Sequence, residues 1–142
     1  MRLVLCLTAG LLALPAKGAA QNGAADSARS TKAGVYTMEQ AARGSELYAL
    51  QCVSCHTAAT HTGPAFVAKW QDRALWELFA YMHSEMPKSD PGSLSDSEYL
   101  VLLTYLLKMN GMPPGLEALP GDSLALKKIR IDFKPIDPSN DR

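Results

Sequence analysis

The chain predicts an all-α domain of three main helices, and three observations carry that prediction. Two capping boxes, Thr37 with Gln40 and Ser95 with Glu98, each stand ahead of apolar residues at helical spacing. Between them Leu75, Leu78, Phe79 and Met82 recur at three- and four-residue steps. The one short alternating run in the tail, Lys128-Ile129-Arg130-Ile131-Asp132-Phe133, suits a small strand or an extended arm over the core.

Taken in order, the chain opens on Arg2, an apolar run over residues 3–14 and the small residues Gly18-Ala19-Ala20. That is the layout of a secretory signal peptide cleaved after Ala20, so the mature protein is expected in the periplasm. A membrane anchor is the alternative, but the apolar run falls short of the ~20 residues a span needs. A lipid anchor on Cys6 would want a small residue before it, and Leu5 is there. Residues 21–34 are small and polar without periodicity, which reads as a flexible lead-in.

The first helix follows Thr37 and runs to about residue 50, with Ala41, Gly44 and Tyr48 on one face. Residues 51–70 hold Gly63-Pro64 and little periodicity, and read as loop. The second helix is expected over 72–84, closed by Pro87. After the Pro91-Gly92 turn the third begins at Ser95, carries Tyr99, Leu102, Leu103 and Leu106 on one stripe, and ends at Gly111 and Pro113. The tail, 112–142, contains five prolines. The domain is therefore expected to be residues 35–111, with 112–142 an extension that either wraps the surface or forms a docking arm. A domain that size sits near the ~70–80 residues below which an apolar core alone is marginal, so a large buried cofactor would help hold it together.

Charge is balanced, 14 basic residues against 14 acidic. Loss of the leader removes Arg2 and Lys17 and leaves 12 against 14. Neither balance suits a nucleic-acid partner. Loss of the leader also removes Cys6, so only Cys52 and Cys55 remain.

Those two cysteines belong to Cys52-Val53-Ser54-Cys55-His56, a C-x-x-C-H run, the signature of covalent haem c attachment. Two residues between the thiols let one turn present both sulfurs to the two vinyl groups of one porphyrin. The adjacent histidine then reaches the iron from the same side. A thioredoxin-like dithiol or a zinc half-site is the alternative. The first would want a strand before the motif, where a helix is expected. The second would need further ligands, and only His61 and His83 remain.

With these residues in view, the chain resembles a class I cytochrome c over residues 36–111. The resemblance implies three main helices around one covalently attached haem. It pairs Gly44 and Tyr48 of the first helix with Leu102 and Tyr105 of the last. It places Gly63-Pro64 where the family has a proline whose carbonyl region orients the ligating histidine. It also implies a methionine thioether as sixth ligand, from the loop between the middle and last helices, where Met86 stands. Met82 is the rival, in phase with the core face of its helix; Met109 and Met112 come too late, and His61 or His83 would give a bis-histidine site. Phe66, Trp70, Leu75 and Phe79 are expected around the ring.

The function implied is that of a one-electron carrier rather than an enzyme, working with redox partner proteins. Met86-Pro87, the Pro91-Gly92-Ser93-Leu94-Ser95-Asp96 stretch and Asn110-Gly111 resemble cytochrome c subunits that accept electrons from quinoprotein dehydrogenases. Delivery to a terminal oxidase or another acceptor would follow. A haem enzyme or gas sensor with a dissociating Met86 is the alternative, although no distal acid–base pair stands out. A thiol–disulfide oxidoreductase is the third class.

Overall fold

The structure is a computed structural model that describes residues 29–133. The expected leader, the lead-in up to residue 28 and the tail beyond 133 lie outside the described residues. The described chain is mostly helical, consistent with the all-α fold that the resemblance implies.

Helix α1 spans Met38–Gln51. Its capping box forms as expected: the Thr37 hydroxyl accepts from the Gln40 amide at 3.3 Å, and the Gln40 side chain accepts from the Thr37 amide at 3.2 Å. Gln40, Ala41, Gly44 and Tyr48 form its buried face. The expected loop 51–70 instead contains two short helices, α2 at Ala58–Thr62 and α3 at Pro64–Trp70. Pro64 takes the first turn of α3, where its missing N–H costs nothing.

Helix α4, Leu75–Glu85, starts later than residue 72 because Asp72 adopts a left-handed φ of 65° that no helix continues. Glu77 instead accepts from the Ala74 amide at 3.1 Å, satisfying one of the orphan donors at the start. Helix α5, Asp96–Met109, carries the second capping box, Ser95 with Glu98. It packs along α1, and Gly44 is the reason the axes come so close: a Cβ there would run into the Val101 carbonyl oxygen. Tyr105 meets both Gly44 and, at 5.2 Å, the Tyr48 ring, as the resemblance implies, and Val101 comes against Gly44 as well.

The two ends of the described chain correct the expected boundaries. From Arg29 the lead-in is structured: strand β1 (Arg29–Ser30), then a 3-10 turn at Thr31–Ala33. On the other side α6 (Ser123–Lys127) precedes β2 (Ile129–Arg130), which pairs parallel with β1. The Thr31 hydroxyl is buried where it accepts from the Asp132 amide at 2.9 Å. Gln40 clasps the tail with both ends of its amide, accepting from the Leu119 N–H at 2.8 Å and donating to the Leu119 carbonyl at 3.1 Å. Leu119, Leu126, Ile129, Ile131 and Phe133 join one core with α1, α4 and α5. Up to Phe133, then, the extension is a wrap that completes the core.

Leu126, fully buried on α6, tests this directly. Leu126→Ala is expected to cost about 2–5 kcal/mol, as for other buried leucines. Denaturant titration of the full chain would read it. A loss near zero would mean that the tail does not belong to the cooperative unit.

Candidate haem site

The site grows out of the end of α1. The Cys52 amide still donates to the Tyr48 carbonyl at 2.9 Å, so the helix delivers Cys52 directly. The chain then turns, with the Cys55 and His56 amides both donating to the Cys52 carbonyl, at 3.1 and 2.9 Å. One turn thus carries both sulfurs and the imidazole. Neither thiol is in a disulfide. Burial pushes the Cys52 thiol pKa up, and the neighbouring Cys55 adds to the shift. That is opposite to the depressed pKa of a redox-active dithiol. Among the described residues no group of three or more His, Cys, Asp or Glu is placed to hold a metal.

Cys52, Cys55 and His56 line an open cavity. Met86, which follows α4, lines the same cavity. Tyr99 fastens the Met86 loop from α5. Its hydroxyl donates to the Met86 carbonyl at 2.5 Å and accepts from the Gly92 amide at 3.1 Å, bracing both ends of the turn.

Removing that hydroxyl leaves the Met86 carbonyl with only the longer bond from Gly92, 3.4 Å. Tyr99→Phe is expected to destabilise the fold by about 0.5–1.5 kcal/mol, the range for one hydrogen bond lost while its acceptor keeps another. Thermal unfolding of the full protein checks it, and an unchanged midpoint would show that the brace carries no weight.

The apolar walls are not those expected. Leu94, Leu102 and Leu106 line the cavity, with Tyr48 and Tyr99. Phe66, Trp70, Leu75 and Phe79 are buried elsewhere in the core and do not line it. Pro64 is exposed and also stands outside the lining. Met82 lines the cavity beside Met86, one helical turn earlier, so its part is not core packing alone. Met112 is buried in the core and Met109 packs partly against it. His83 is outside the cavity, with Nε2 3.4 Å from Asp96. His61 is inside it: the ring sits 4.8 Å from that of His56, and Nδ1 is 2.9 Å from the Tyr48 hydroxyl. Burial, and then the nearby His56, lower the His61 pKa to about 4, so that its ring is neutral at neutral pH.

Residues 39–106 match the family model described as cytochrome C oxidase, cbb3-type, subunit III. This match supports a c-type cytochrome. No curated protein and no solved structure matched the chain. The matched stretch contains the whole C-x-x-C-H turn, Met86 and nearly all of α5. A cytochrome c domain supports a haem-based electron carrier with redox protein partners, and it implies haem c.

The residues present fit that group. Two free thiols and an imidazole lie on one turn, a thioether comes from a second segment, and leucines and tyrosines wall the space between. No helix among the described residues is long and apolar enough to cross a membrane.

Proposed function

We propose that this protein is a periplasmic one-electron carrier. In this reading Cys52 and Cys55 would hold a single haem c covalently, and His56 and Met86 would ligate its iron. One juxtaposition supports it above all: the C-x-x-C-H turn and Met86, thirty residues further along the chain, share one largely apolar cavity.

Haem c, when bound, supplies a one-electron ferric/ferrous couple. The chain's own residues do the rest. Leu94, Leu102 and Leu106 keep water from the site, which tunes the potential. Tyr99 holds the Met86 loop, a brace that would keep the thioether in place for a one-electron couple. Pro64, close along the chain after the motif, is the proposed source of a carbonyl for the His56 ring N–H, an outer contact that would fix the tautomer and raise ligand basicity. The leader-like residues 1–20 support export. The 86–96 and 110–111 segments support a dehydrogenase as donor, of the quinoprotein kind, with an oxidase or other acceptor downstream.

Reversible redox titration of the exported protein, paired with carbon monoxide addition, tests this function. A single one-electron wave and a reduced protein slow to bind the gas at neutral pH are the expected results. Prompt binding would instead favour a haem enzyme or gas sensor with a labile sixth ligand.

A further inference from the structure

An imidazole bound to iron through one nitrogen is free to rotate about that bond unless something holds its plane. Among the described residues no hydrogen bond is made by the His56 ring, and the one ring that meets it is His61, at 4.8 Å and 63° between planes. We infer that His61 is a positioning residue that sets the rotational angle of the His56 imidazole; the inference rests on the haem reading above.

The local architecture suits this role. Helix α2 buries none of its five residues fully, so it contributes little to the core; its inward-facing contribution is His61. That ring is held on several sides. Tyr48 bonds Nδ1 at 2.9 Å, and the rings of Tyr48 and Phe66 stand edge-on to it at 5.7 and 5.8 Å. The backbone is held as well: the Asn110 side chain donates to the His61 carbonyl at 2.8 Å and, equally, to that of Leu106. A side chain fixed through ring and backbone against the ligand ring acts as a stop on that ring's rotation, a restraint separate from the Pro64 carbonyl proposed for its N–H. Edge-to-face ring contacts of this kind are enough to favour one rotational setting several-fold.

The plane of an axial imidazole governs how unpaired spin is distributed over the four porphyrin methyl groups. The test is therefore the proton NMR spectrum of oxidised, haem-loaded full-length protein, compared with His61→Ala, His61→Phe and Tyr48→Phe. The expected result for His61→Ala is a changed order and spread of the shifted haem-methyl resonances with the ligand set intact. His61→Phe, which keeps a ring edge, is expected to restore the wild-type order. A wild-type pattern in His61→Ala overturns the inference. If His61→Ala gives no holo-protein, Tyr48→Phe decides: a shifted pattern supports the stop, and an unchanged one overturns it. Absence of covalent haem in the wild-type protein is a separate failure, that of the functional reading, and the inference falls with it.

Discussion

Met86→Ala is expected to retain the haem on Cys52 and Cys55, lose the thioether-to-iron absorption band and lower the midpoint potential. A thioether is a weak donor that favours the ferrous state, so its removal favours the ferric one. A fall of about 100 mV or more is expected, which at about 59 mV per tenfold for one electron is roughly two orders of magnitude in ferrous preference. The site itself supplies the control. Met82 lines the same cavity one turn earlier, so a residual band in Met86→Ala should vanish in Met82→Leu/Met86→Ala. A band that survives Met86→Ala unchanged but disappears in Met82→Leu would assign the ligand to Met82.

The second large effect is expected from Cys52→Ala/Cys55→Ala. The cavity is open at its mouth, and Cys55 lies at an exposed position, so little besides the two thioether links would keep the ring in place. Little or no haem-loaded protein should accumulate in the exported fraction. Folding should suffer with it, because Leu94, Leu102 and Leu106 would then face water across the cavity. Haem staining and the absorbance of purified protein measure the outcome, and a normal yield of loaded protein would contradict covalent attachment.

Much of this architecture was legible in the residues. Capping boxes at Thr37 and Ser95 mark the starts of α1 and α5 because they satisfy backbone donors locally, and local chemistry is what a sequence carries. The C-x-x-C-H turn is legible for the same reason. Gly44 is too, since a missing side chain at the centre of a helix face points to close approach.

Features that depend on long-range partners were not legible. Thr31 is small and polar, and its burial is intelligible only beside the Asp132 amide, a hundred residues away in sequence. Helices α2 and α6 span five residues each, too short for a periodic stripe to register. Apolar spacing marked Phe66, Trp70, Leu75 and Phe79 as buried but carried no information on what they bury against; in the fold it is the core rather than the cavity. Tyr99 illustrates the same point. It belongs to the apolar stripe of α5, while its hydroxyl braces the Met86 loop.

Intact mass spectrometry of the exported protein, after denaturation and acid extraction of loosely held cofactors, bears most directly on the site. The expected mass is that of the processed chain plus one haem, carried through denaturation on Cys52 and Cys55. A mass equal to the polypeptide alone would contradict the account.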